Sequence, residues 1–302
     1  SIDNPLVARV FVNRIWEMIF GIGIVATSQD FGQQGAWPTH PELLDWLAVD
    51  FRENGWDIKR LIKQMVTSTT YQQSSSIRTE AAAKDSGNRL LSSYPRRRLG
   101  AEEMRDQALY LSGLLVEKFG GPSVKPYQPE GLWKEVAMPQ SNTRNFKRGD
   151  GEELWRRSLY TYWKRASPPP SLLTMDAPTR EFCTISRGIT NTPLQALVLW
   201  NDEQFVEAAR VLAQRTLTTE TPSLIGLFQQ CTGRQPTELE TQRLEDILTA
   251  FTKRFAEAPE DAEKLLQVGD AMLPEGANYP ELAAWTMLAN ALLSLDEVIS
   301  RT

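Results

Sequence analysis

The stretch from Arg156 to Asp202, RRSLYTYWKRASPPPSLLTMDAPTREFCTISRGITNTPLQALVLWND, constrains the fold more than any other. Pro168-Pro169-Pro170 fixes three φ angles and removes three N–H donors, so no helix interior and no central strand can run through it. The triplet predicts extended, polyproline-like backbone. Just before it, Ser158 to Trp163 alternates, with Leu159, Thr161 and Trp163 on one side and Tyr160 and Tyr162 on the other. That is the pattern of a strand, without a sequential partner. After it, Thr192-Pro193 opens a helix through Leu197 to Leu199, and Asp202 caps another that carries Phe205, Val206, Ala209 and Leu212.

Elsewhere the apolar spacing is helical. Asn4-Pro5 starts a helix with Val7, Val10, Phe11, Ile15 and Ile19 on its stripe, ended by Gly21. Thr39-His40-Pro41-Glu42 has capping-box spacing before Leu43 to Phe51, and Asp57 caps a third helix over Ile58 to about Thr70. Tyr71 to Ser86 is polar and reads as an exposed loop, and a helix from Gly100 carries Met104, Ala108, Leu111 and Leu115. Gly120 to Gly151 is the longest irregular stretch, broken at Leu132-Trp133. Beyond Thr221 the pattern is helical again, with a capping box at Thr237-x-x-Glu240 and a last helix over Pro280 to Ile299. The fold class is therefore mainly α: a multi-helix globular bundle with a small β element near 158–163 and long irregular loops. Three regions are expected within one compact unit: a helical one over 1–117, a basic and aromatic one over 118–202, and an acidic helical one over 203–302.

Composition bounds the function. A net charge of −5 on 302 residues does not point to nucleic acid. Arg144 to Arg165 nevertheless holds seven basic against three acidic residues, whereas 203–302 holds sixteen acidic and eight basic. Such asymmetry steers a partner or ligand, or draws two parts of the chain together. No apolar run approaches the ~20 residues of a membrane span. The chain begins with Ser, which suggests a processed or excised piece. Cys183 and Cys231 are the only cysteines, so a four-cysteine zinc site is excluded, and without C-x-x-C-H the chain attaches no c-type haem itself. Two buried free thiols are expected, the alternative being a bridge in an oxidising compartment.

His40 is the sole histidine, which rules out a two-histidine metal site within this chain, and no metal site is expected. At a helix start the dipole favours neutral imidazole, suited to a general base or a haem or metal ligand, although capping and packing of the turn before Pro41 is the simpler reading. Glu102, Arg105 and Asp106 sit at helical separations, as an acid pair with a cation or as a salt-bridge network. The most suggestive polar set is Asp176, Arg180, Cys183, Arg187 and Asn191, in irregular chain beside the aromatic segment. Arg180 or Arg187 can hold a carboxylate or sulfate through two parallel hydrogen bonds, or else the set satisfies loop backbone. Trp133, Trp155, Tyr160, Tyr162 and Trp163 either stack on sugar rings or pack the core. The candidate substrate-binding set is accordingly Asp176, Arg180, Arg187, Asn191, Trp163 and Tyr162, with His40 as candidate catalyst.

A resemblance adds context. The stretches NPLVARVFVNRIWEMIFGIGIV (4–25), DFGQQGAWPTHPELLDWLA (30–48), WDIKRLIKQMVTSTTYQQSS (56–75), NRLLSSYPRRRLGAEEMRDQAL (88–109), the 156–202 stretch, TGRQPTELE (232–240) and LANALLSLDEVI (288–299) carry it. Together they resemble the C-terminal uncharacterised domain of planctomycete-type multidomain proteins, in which a cytochrome-c-like domain and a second uncharacterised domain usually come first. An acidic residue is expected where Gly100 stands. The resemblance implies an extracytoplasmic location, because c-type haem is assembled outside the cytoplasm, and a haem c on a separate domain. It implies the preceding domains of the parent protein as partners. Two functions follow as expectations: a docking or scaffolding module, or an enzyme or enzyme half acting on a carbohydrate or other polar substrate. In the second, His40 and the 176–191 loop form the site, with a polysaccharide or small polar ligand as partner and electrons passing to the haem module.

Overall fold

The computed structural model describes residues 4–301; Ser1, which suggested a processed piece, lies outside them. Thirteen α-helices and one pair of two-residue strands are present among the described residues, so the fold is mainly α. The chain groups into two compact units. One comprises Ser1–Arg98, Thr184–Ser186 and Ser300–Thr302; the other comprises Leu99–Cys183 and Arg187–Ile299. Residues 117 and 202 both fall inside the second unit.

The first unit contains α1 (Pro5–Phe20), α2 (Pro41–Glu53), α3 (Ile58–Val66), α4 (Thr79–Lys84) and an antiparallel pair, β1 (Arg97–Arg98) with β2 (Ser300–Arg301). Asn4 Oδ1 accepts from Leu6 N at 2.9 Å, and Asp57 Oδ1 accepts from Arg60 N at 3.1 Å, as their cap positions predict. The capping box at Thr39 does not form. Pro41 starts α2 with His40 at the N-cap, and Thr39 instead gives its backbone N–H to Ile24 O at 2.9 Å. α4 corrects the loop expected over Tyr71 to Ser86, its TEAAAK run having strong helix propensity. The core joins Val12, Trp16 and Phe20 to Leu44, Leu47, Phe51, Leu61, Met65 and Tyr94. The irregular chain after α1 is held by Asn13, fully buried, which accepts from Val25 N at 2.8 Å and donates to Val25 O at 3.0 Å. Gly23 makes room for it: a Cβ there would lie 2.5 Å from Asn13 Nδ2.

The second unit contains α5 (Ala101–Ser112), α6 (Leu132–Val136), α7 (Pro170–Thr174), α8 (Pro193–Asn201), α9 (Glu203–Leu217), α10 (Leu224–Thr232), α11 (Glu238–Glu257), α12 (Pro259–Leu266) and α13 (Tyr279–Leu293). Helices α9 and α13 form its centre. Ala208, Ala209 and Ala213 on α9, with Ala283, Ala284 and Ala289 on α13, are buried and small enough for close helix approach. Capping boxes close at Thr192/Gln195 and Thr237/Glu240, and Asp202 caps α9. Several boundaries differ from the sequence expectation: α3 ends at Val66 rather than about Thr70, α5 ends at Ser112, short of Leu115, and three more lie further along the chain. The segment 158–163 begins as a 3₁₀ turn, Ser158–Tyr160, and its β character is one isolated bridge from Thr161 to Val124. Asp106 takes Ser158 N at 2.7 Å and Arg157 O takes Tyr160 N at 2.9 Å, which curls the segment before it can extend. The proline triplet is extended at Pro169, but Pro170 is the first residue of α7, where a missing N–H costs nothing. The last helix stops at Leu293 instead of Ile299.

Arg105, on α5, is 3% exposed and ties three segments together. Its Nε donates to Gln204 Oε1 on α9, Nη1 to Arg156 O at 2.8 Å and Ser158 Oγ at 3.2 Å, and Nη2 to Leu154 O at 2.6 Å. Burial lowers its pKa to about 10, still charged at neutral pH. Arg105→Leu strands these acceptors in the interior. We expect Tm to fall by about 10 °C, on the order of 3 kcal/mol, in calorimetry of the whole chain.

Near the start of α11, Arg234 donates to Glu240 at 2.6 and 2.9 Å and to Glu297 at 2.7 and 2.8 Å. The Arg234 hydrogen bonds, then those from Thr237, bring the Glu240 pKa from 4.5 to about 2. Because the folded pKa is depressed, this contribution is complete above pH 4.5 and fades as pH falls towards 2. Glu240→Gln should therefore lower Tm at neutral pH, and the gap from the parent should close across that interval in a pH series.

Candidate functional site

The polar set picked out by sequence lies in the second unit, in the loop between α7 and α8. Asp176 adopts φ +66°, a left-handed conformation that aspartate tolerates. Its carboxylate accepts from Thr190 N at 2.7 Å, from Thr190 Oγ1 at 2.8 Å and from Gln195 Nε2 at 3.1 Å. Gln195, buried at the first turn of α8, also donates to Thr174 O at 2.9 Å. Asp176 is thus the clasp that closes the loop. Asn191 is exposed between Thr190, which holds the clasp, and Thr192, which caps α8.

Arg187 reaches α5 and donates to Glu102 Oε2 at 2.7 Å. Burial alone pushes the Glu102 carboxyl up, but the Arg187 hydrogen bond and the positive charges of Arg187 and Arg180 leave it below its usual range. Gly100 sits against this pair: a Cβ there would be 3.8 Å from Arg187 Nη1. An acidic side chain at that position would compete with Glu102 for the guanidinium. Arg180, with φ +62°, stacks over Trp163 at 4.3 Å from the ring centre, and Trp163 Nε1 donates to Thr179 O at 2.9 Å. Trp163 and Glu102, half-buried, and Arg180 and Arg187, exposed, therefore form a cationic and aromatic cluster beside the loop that Asp176 closes.

The remaining candidates go elsewhere. Tyr162 packs on Trp133 at 5.6 Å, in a second aromatic group. His40 belongs to the first unit, where its Nδ1 lies 2.9 Å from Thr39 Oγ1. Glu102, Arg105 and Asp106 form ion pairs rather than an acid pair: Glu102 turns to Arg187, while Asp106 lies 3.8 Å from buried Arg105 and 3.6 Å from Arg157 and holds Ser158 N. Cys183 is exposed rather than buried, both cysteines are free, and burial pushes Cys231 up to about 12. Among the described residues no group of three His, Cys, Asp or Glu side chains is arranged to hold a metal ion.

Sequence reading missed a buried carboxylate. Glu207 on α9 is fully buried and accepts from Ala271 N at 2.7 Å, Trp155 Nε1 at 2.9 Å and Tyr127 Oη at 3.1 Å. Tyr127 Oη in turn accepts from Asp270 N at 2.9 Å. Gly269 makes the close approach possible, since a Cβ there would lie 2.5 Å from Glu207 Cδ. The signal was available: Glu207 and Arg210 stand among Phe205, Val206, Ala209 and Leu212, where a charge is out of place unless it is paired or hydrogen-bonded.

The family PSD1, described as a protein of unknown function (DUF1553), matches residues 1–248. The chain belongs to this family. No curated protein and no solved structure matches it. Within this PSD1 chain, Asp176→Ala removes the clasp while leaving the helices in place. We expect limited trypsin digestion to cut after Arg180 and Arg187 about tenfold faster, with a loss of about 1 kcal/mol in stability.

Proposed function

We propose that the chain is a docking or scaffolding module of an exported, cytochrome-c-linked multidomain protein, acting outside the cytoplasm. Its partners are the preceding domains of the same protein, and haem c is carried by one of those. One observation carries the reading: within the second unit Phe182, Ile189, Leu194, Leu197 and Trp200, on α8 and the chain that leads to it, are large apolar side chains exposed to solvent. Phe182 is 68% exposed, and Leu194 and Leu197 are 58% and 57% exposed. Leu194, Leu197 and Trp200 fall on one side of α8, whereas Gln195 and Leu199 face the core. Apolar groups offered to solvent along a segment held in shape by Asp176, Thr190 and Gln195 are what a protein-binding surface requires. The Asp176 and Arg187 bonds shape this surface rather than leaving free reactive groups.

The test is association of the chain with the separately expressed preceding domains, measured by calorimetry. Leu197→Asp should weaken it at least about tenfold, as loss of an apolar anchor does, and leave Tm unchanged because the side chain is exposed. Affinity unaffected by Leu197→Asp and by Phe182→Asp would remove this surface from the interface.

A further inference from the structure

A second group of aromatic and cationic side chains lies in the second unit, around Trp133 of α6. Trp133 is 2% exposed and packs edge-on to Phe146 at 5.1 Å and tilted to Tyr162 at 5.6 Å. Two ammonium groups lie over these rings. Lys125 Nζ is 5.6 Å from the Trp133 centre and 5.2 Å from that of Tyr162, and Lys164 Nζ is 4.6 Å from Trp133. Lys164 also donates to Thr143 O at 2.8 Å. Neither lysine forms an ion pair among the described residues, so the positive charge of this region is met by π-faces and one carbonyl.

Beside Lys164 is an open pocket of about 380 Å³, lined by Val136, Ala137, Met138, Gln140, Ser141 and Lys164. That volume falls in the ~300–1,000 Å³ range of small-molecule sites. Its walls offer an apolar seat: Val136 and Met138 are 49% and 78% exposed. An ammonium has three N–H donors; Thr143 O takes one, which leaves two for the two oxygens of a carboxylate. We propose that this pocket binds a small monocarboxylate with an apolar body, its anion on Lys164 and its body against Val136, Ala137 and Met138. Lys125 adds favourable field without direct contact, and a cationic ligand of the same shape is rejected by both ammonium groups.

Benzoate is the probe, benzylamine its cationic counterpart, and ligand-observed NMR on the whole chain the measurement. Benzoate should bind with a millimolar Kd and benzylamine should not bind. Lys164→Gln should weaken benzoate at least about tenfold, as loss of a charge-assisted hydrogen bond does, and Lys164→Arg should stay within about threefold of the parent. Lys134→Gln, exposed and outside the pocket lining, should leave Kd unchanged. An unchanged Tm in Lys164→Gln separates lost binding from lost fold. Absence of benzoate binding at tens of millimolar, equal binding of benzylamine, or a Kd indifferent to Lys164→Gln would each overturn the assignment.

Discussion

The buried guanidinium of Arg105 is the interaction on which the second unit depends. The segment from Leu154 to Ser158 has too little regular structure to satisfy its own backbone, and burying it without partners would cost a few kcal/mol per group. Arg105 supplies the donors: Leu154 O and Arg156 O both end on it. Its remaining edge turns to Gln204, which attaches the same segment to α9. A helix, an irregular strap and the central helix are thereby held by one side chain. Leucine there would add apolar contact and leave the strap without donors.

Two further charges repeat the device. Arg156 donates to Lys118 O at 2.8 Å, Gly120 O at 2.6 Å and Pro122 O at 3.0 Å, and stacks on Tyr160. Glu207 does the converse for N–H groups, accepting from Ala271 N, Trp155 and Tyr127. Long loops in a helical protein create unpaired donors and acceptors of both kinds, and buried ions of both signs answer them. The aromatic residues of the central region serve the same framework, since Trp155 and the Tyr160 hydroxyl hydrogen-bond to Glu207 and Gly120 N. Their hydrogen bonds within the framework account for these two without a ligand.

The loop from Asp176 to Asn191 illustrates how polar residues in irregular chain divide. Asp176 is consumed by closing the loop, Arg187 by pairing with Glu102, and Arg180 lies on Trp163. Beside these polar side chains the loop also presents large apolar ones to solvent, Phe182, Ile189 and Leu194. PSD1 membership attaches no reaction to any of them. Asp176 and Arg187 act as fasteners for a loop that also exposes large apolar side chains.

Helix positions and caps were legible in the sequence because they follow from spacing and local hydrogen bonding: Asn4, Asp57, Thr192, Asp202 and Thr237 all cap as their neighbours dictate. The mainly α class follows from the same local rules. Tertiary structure alone decided the rest. Ser158 to Trp163 has a strand's alternation, yet Asp106, fifty-two positions away, takes Ser158 N and the segment curls. Thr39 had the spacing of a cap and went to Ile24 O. Local patterns determine which backbone bonds a segment can make with itself; whether a distant carboxylate, carbonyl or guanidinium offers a better partner depends on the fold that brings it near.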